Sequence, residues 1–166
     1  MRNTLSAQPL TAAAFAPFGT VIEVPAGVTG RPINGGTSWR FNLLDDLQLS
    51  GKEGRPMLAL FRAAARSFPH DVDEMECHRL GSQSFVPLGR RRFVVVVAPA
   101  APQPDPAALA AFITDGEQGV VLAPGTWHHA LLAADAGDFV VVERVADAVD
   151  CDVVRWDHAV PVVIPA

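Results

Sequence analysis

Apolar residues in this chain gather in short runs bounded by glycine, proline and charged residues, and that spacing predicts strands. Strands are expected over 20–24, 38–42, 57–62, 75–80, 84–88, 93–98, 119–123, 127–132 and 139–145. The run beginning at Phe93 carries four consecutive valines and fits a strand buried on both faces. Alternation over 57–62 puts Leu58, Leu60 and Arg62 on one face, so Arg62 either ends the strand in solvent or enters a pocket holding an anion. Loops are expected over 25–36 and 43–55, where glycine and proline or polar residues dominate. Gly89-Arg90-Arg91-Arg92 reads as a solvated hairpin turn.

Helical signals are few. Thr11 can cap a short helix over 12–15, which Pro17 and Gly19 end. Asp105-Pro106 looks like an N-cap and first helical residue for a helix to about 113, closed by Gly116. No internal repeat is present. Many short strands with one or two peripheral helices predict a mainly β sandwich or barrel.

Composition narrows the function classes. At 166 residues the chain is read as one domain, 1–166, able to bury roughly two-thirds of its unfolded surface. The formal net charge of −5 argues against a nucleic-acid partner. Lys52 is the single lysine and tyrosine is absent, so neither a Tyr acid nor a buried amine is in prospect. The start of the chain has no apolar segment of signal-peptide length, and no run approaches the ~18 residues that span a bilayer. A cytoplasmic protein without membrane contact is expected, with Cys77 and Cys151 as reduced thiols.

Chemistry concentrates in two stretches that hold three of the five histidines. Glu76 and His78 are two apart on an expected strand and face the same way. A bend or bulge at Gly81 brings Gln83 to that face. Glu76-x-His78-x-x-x-x-Gln83 resembles the first metal motif of cupin barrels, and Pro124-Gly125-x-x-His128 resembles the second. Glu76, His78, Gln83 and His128 then supply nitrogen and oxygen to a divalent ion with positions left for substrate. The alternative is a hydrogen-bonded polar core without metal. His129, next to His128, should face the other way; Cys77 reads as a packed thiol, and His70 and His158 as solvent-facing.

Beyond these motifs the chain resembles the ureidoglycolate lyase family, also called ureidoglycolate hydrolase, of allantoin (purine) degradation. The resemblance rests on Leu80-Gly81-Ser82-Gln83-Ser84-Phe85-Val86-Pro87-Leu88 and Gly125-Thr126-Trp127-His128-His129 above all, with Ala14-Phe15-Ala16-Pro17-Phe18-Gly19, Ile33-Asn34-Gly35-Gly36 and Gly116-Glu117-Gln118-Gly119 in support. It implies a cupin-like jelly-roll barrel (a double-stranded β-helix), a homodimer, release of urea and glyoxylate from ureidoglycolate, and in some members nickel or another divalent ion. The substrate has a carboxylate, a hydroxyl and a ureido nitrogen on one carbon. Catalysis is expected from His78, His128, Glu76 and Gln83, with His128 or Glu76 as proton acceptor. Arg40 or Arg62 is expected to bind the carboxylate, and Asn34, Gly35 and Ser82 to complete the substrate contacts. Competing readings are a non-catalytic module that binds a small organic acid, and a cupin isomerase acting on another hydroxy acid.

Overall fold

The structure, a computed structural model, describes residues 4–166. Its strands are β1 (Leu5–Ser6), β2 (Gln8–Pro9), β3 (Gly19–Ile22), β4 (Arg31–Ile33), β5 (Ser38–Arg40), β6 (Arg55–Ala63), β7 (His70–Cys77) and β8 (Gln83–Pro87) in the first half. The second half adds β9 (Phe93–Ala98), β10 (Ala110–Ile113), β11 (Gly119–Leu122), β12 (Trp127–His128), β13 (Leu132–Ala133), β14 (Gly137–Val145) and β15 (Asp152–Val163). They build a cupin-like β-barrel. One sheet runs β1-β15-β7-β12-β9-β10-β2, with β13 also on β9, and the other runs β3-β11-β8-β14-β6. β4 and β5 form a separate two-stranded ribbon.

β9 lies at the centre of the fold. All six of its residues are buried. Phe93, Val95 and Val97 join the core between the sheets, with Phe85, Leu122, Phe139 and Val141. Val94, Val96 and Ala98 join a second core on the other face, with Met75, Cys77, Trp127 and Val162. A valine run with no polar alternation suits a strand covered on both sides. Thr11 caps the helix α1 (Ala12–Phe15) as expected, accepting from the Ala14 N–H at 3.2 Å.

The second expected helix is corrected. Asp105 does cap a turn, accepting from the Ala107 N–H at 2.8 Å, but the turn is a single 3₁₀ winding, Pro106–Ala108. The chain then becomes β10, paired with Val94–Val97 of β9. Alanine-rich composition favours a helix by about 1 kcal/mol per residue at most against poor helix formers. Burial of Ala111 and Phe112 on opposite faces of the strand outweighs that preference.

Other expectations shift in detail. The residues 89–92 join strands of different sheets, so they form no hairpin, although Arg90 is solvated as expected and pairs with Glu117. The expected strand over 127–132 breaks into β12 and β13. The expected loop over 25–36 contains β4 and a 3₁₀ turn, Asn34–Gly36. β7 starts earlier than expected, at His70, whose ring stands 5.4 Å from that of His129 instead of facing solvent. β15, the longest strand, had no expected counterpart.

Candidate active site

The ladder of β7 and β12 sets His128 directly opposite Glu76. His128 is also paired with Val97, a residue of the core between the sheets, so both side chains point into that space. Their neighbours Trp127 and Cys77 point the other way, into the second core. β7 ends at Cys77, and the chain then crosses to the opposite sheet, which it enters at Gln83. Gly81 therefore lies in the expected bend, which here carries the crossing between sheets. It lies under Arg144, where an added Cβ would come within 2.4 Å of the Arg144 Cβ. Gln83 shares its face of β8 with Phe85, so it looks into the same inter-sheet space from the far side.

One ring nitrogen each from His78 and His128 and one oxygen of Glu76 lie within 4.8 Å of one another. The two ring centroids are 5.3 Å apart. His78 Nδ1 donates to the Asp150 carbonyl at 2.6 Å, and His128 Nδ1 donates to the His129 carbonyl at 3.2 Å. A carbonyl only accepts, so each ring carries a proton on Nδ1, and any ring lone pair lies on Nε2. Both Nε2 atoms are buried without a partner, as is Gln83 Oε1. Ser84 Oγ is also unpartnered but sits on the opposite face of β8.

Buried polar atoms nearly always find partners, and two imidazole lone pairs with an amide oxygen and a carboxylate form a donor set suited to a divalent first-row ion. The residues present thus fit such an ion. Burial, with His78 beside it, pushes the His128 imidazole down to about 3. The ring is therefore neutral at physiological pH, and the 3.7 Å approach of Glu76 Oε1 to its Nδ1 is not an ion pair. Burial raises the Glu76 carboxyl above the usual carboxylate range; His78 and His129 offset part of this, and Glu74 and Glu143 add to it.

A cavity of about 210 Å³ opens beside His78, walled by Ser82, Glu143, Arg144, Asp150, Cys151 and Met57. It is smaller than the ~300–1,000 Å³ of common ligand pockets and admits only a small molecule. A loop is tied to two residues of this wall. Ser82 Oγ donates to the Leu47 carbonyl at 2.5 Å, and Arg144 donates through Nε and Nη2 to the carbonyls of Gly51 and Lys52 at 2.9 and 2.6 Å. Three non-glycine residues of that loop, Gln48, Lys52 and Glu53, have positive φ, and such backbone is kept only where its surroundings enforce it.

The expected site residues divide into two groups. Glu76, His78, Gln83 and His128 face the inter-sheet space, and Ser82 lies on the cavity wall. Arg40, Arg62, Asn34 and Gly35 do not reach this cavity. Arg40 sits on the separate ribbon and donates to Asn42 Oδ1 at 2.9 Å. Arg62 has an 83% exposed side chain and makes a two-pronged pair with Asp138 at 2.8 and 3.0 Å. Asn34 and Gly35 occupy the exposed turn that joins β4 to β5.

Four residues had escaped the sequence reading: Glu143, Arg144, Asp150 and Cys151. Glu143 carried a signal, a charge at the same strand parity as the buried Phe139 and Val141. Asp150 carried none. Its carboxylate accepts from the N–H groups of Arg79 and Leu80, both at 2.8 Å, while its carbonyl holds His78. Cys77 is buried in the second core as expected, and neither cysteine is in a disulfide.

A family model described as ureidoglycolate lyase matches residues 2–163. The chain is 50% identical over 146 residues to a protein named ureidoglycolate lyase from Burkholderia mallei (strain NCTC 10229), covering 87% of this chain and 85% of that one. A protein of the same name from Burkholderia cepacia is 45% identical over 158 residues, covering 93% and 88%. Another, from Pseudomonas syringae pv. syringae (strain B728a), is 42% identical over 146 residues, covering 87% and 85%.

Proposed function

The chain belongs to the ureidoglycolate lyase family, and we propose that the site formed by Glu76, His78 and His128 with the adjoining cavity cleaves ureidoglycolate to glyoxylate and urea in allantoin degradation. The observation that carries this reading is the clustering of the Glu76 carboxylate with the imidazoles of His78 and His128, ligand atoms within 4.8 Å of one another, with His78 also on the wall of a small cavity shared with Arg144.

The reaction needs no water. The substrate hydroxyl gives up its proton, its oxygen becomes the carbonyl of glyoxylate as the carbon–nitrogen bond breaks, and the departing ureido nitrogen takes a proton to become urea. Glu76 is the proton acceptor, through the carboxylate oxygen that is not given to an ion, because burial raises its carboxyl above the usual carboxylate range and makes it the stronger base. The proton it takes is the one the leaving nitrogen needs, so a single group serves both steps. His128 is neutral and fully buried, which suits a lone-pair donor and not an acid. Arg144 takes the role expected of Arg40 or Arg62 and binds the substrate carboxylate from the cavity wall. The loop over 47–53 holds Ser82 and Arg144, two residues of the cavity wall, in place.

Glu76, His78, Gln83 and His128 would hold a divalent ion, nickel by analogy with the family. When bound, such an ion supplies positive charge that acidifies the substrate hydroxyl.

The whole chain, 1–166, acts as one cytoplasmic domain in a homodimer. Supporting the dimer is β6, a nine-residue edge strand whose outward Leu58 and Leu60 are 75% and 57% exposed, an apolar edge that a lone subunit should cover. The test of function is direct: purified protein incubated with ureidoglycolate should release glyoxylate and urea in equal amounts. Release no faster than in protein-free buffer rejects the assignment.

A further inference from the structure

Gln83 is the weakest member of the donor group, for a chemical reason. An amide can present either its oxygen or its NH₂, and only the oxygen binds a hard or borderline cation. Gln83 is 6% exposed, so water does not choose for it. Its Nε2 donates to Glu143 Oε2 at 2.8 Å, and its Oε1 has no partner.

Glu143 is the direct cross-strand partner of Gln83 in the ladder of β8 and β14. The two side chains leave one face of the sheet together. An ionised carboxylate only accepts. Turning the amide over would set Gln83 Oε1 against Glu143 Oε2, replacing a charge-assisted hydrogen bond by two opposed acceptors inside a buried site. The carboxylate therefore fixes which end of the amide remains free, and that end is the oxygen.

We propose that Glu143 is a positioning residue whose carboxylate makes Gln83 an obligate oxygen donor to the cation held by Glu76, His78 and His128. This role rests on the cation-binding reading of the cluster. The chain's Val-Glu-Arg stretch in β14 then supplies both ends of the site, with Glu143 orienting a donor and Arg144 facing the substrate.

The test titrates Ni²⁺ alone into the chelator-stripped full chain by calorimetry. Wild type should bind one ion, and Glu143→Gln should weaken it by about 10–100-fold, the usual loss for a residue behind a ligand. The substituted amide can accept or donate, so Gln83 is no longer held to one orientation. Gln83→Glu offers an oxygen whichever way it turns, and in that background Glu143→Gln should cost less than about 3-fold. The visible spectrum of the Co²⁺ form should change with Glu143→Gln and be restored in the double variant, a response that a packing defect would not give. Unchanged Ni²⁺ affinity in Glu143→Gln, or an equal loss in both backgrounds, overturns the role of Glu143 alone. Absence of binding by the wild-type chain overturns the cation reading, and this role with it. Should Glu143→Gln fail to fold by itself, the comparison of Gln83→Glu with the double variant carries the decision: an equal loss still overturns the role.

Discussion

His78 and His128 stand with ring centroids 5.3 Å apart, each tied through Nδ1 to a main-chain carbonyl and each left with a buried, unpartnered Nε2. They come from residues fifty positions apart, one just past the end of β7 and the other on β12. Neither ring is free to turn without breaking its only hydrogen bond. The pair is thus two neighbouring rings of fixed orientation, each with an unpartnered buried nitrogen.

Replacing either ring removes one of those lone pairs. His78→Ala and His128→Ala should each lower turnover of ureidoglycolate by at least ~100-fold, more than the loss expected from residues that only support ligands. Far-ultraviolet circular dichroism should stay that of wild type. Full activity in both variants would remove this cluster from the mechanism.

Asp150 acts on His78 from behind. Its carboxylate holds the turn at Arg79 and Leu80 while its carbonyl holds the ring. Asp150→Ala keeps the carbonyl but frees the turn that aims it, and should reduce turnover by about 10-fold. An accompanying rise in the exchange rates of the Arg79 and Leu80 amides would trace the loss to that turn; unchanged exchange would refute the clamp.

Arg144 is proposed to read the substrate carboxylate, and a lost charged hydrogen bond is worth about 1.5–3 kcal/mol. Arg144→Met should therefore raise KM for ureidoglycolate by about 10–100-fold. Gly81→Ala should act in the same direction, because the new methyl would meet the Arg144 side chain. By contrast, Arg62→Met should leave KM near that of wild type, since Arg62 is paired with Asp138 away from the cavity. The reverse pattern of KM values would return the carboxylate to Arg62.

His128 predicts how the chelator-treated protein responds to acid. Unfolded, the imidazole takes up a proton near pH 6.5; in the fold, burial and His78 push it down to about 3. Between those values the unfolded chain binds more protons, so stability must fall as pH falls from 6.5 towards 3. Each pKa unit is worth about 1.4 kcal/mol, which makes the effect several kcal/mol in all. Glu76, raised in the fold, works in the opposite sense below its folded pKa. Denaturant unfolding of wild type and His128→Asn across this range should show a shallower acid loss in the variant. Equal slopes would contradict the buried neutral ring.

The edge strand β6 predicts the assembly. Leu58→Asp with Leu60→Asp should shift the sedimenting mass from twice 17.6 kDa to that of one chain. Retention of the dimer would place the contact elsewhere.

Much of the barrel could be read from local patterns, because alternation and turn residues mark strands that pack on a common core. β9, β8 and α1 are of this kind. The failures have non-local causes. The alanine-rich stretch before Ile113 prefers a helix on its own and becomes a strand only because β9 offers a partner. At the site, Glu76, His78, Gln83 and His128 were legible from spacing, since three of them lie within eight residues. Arg40, Arg62 and Arg144 look alike on strands, and only the third dimension shows that Arg144 alone of the three lines the cavity beside His78. Asp150 had no legible signal, because it acts through a main-chain carbonyl.

That carbonyl has a consequence for how the protein is made. The ring of His78 waits for a partner 72 residues further along, so no ribosome-bound fragment ending before Asp150 can hold its imidazole in place. A prematurely released chain lacks this carbonyl and β15 with it, so the His78 imidazole stays untethered.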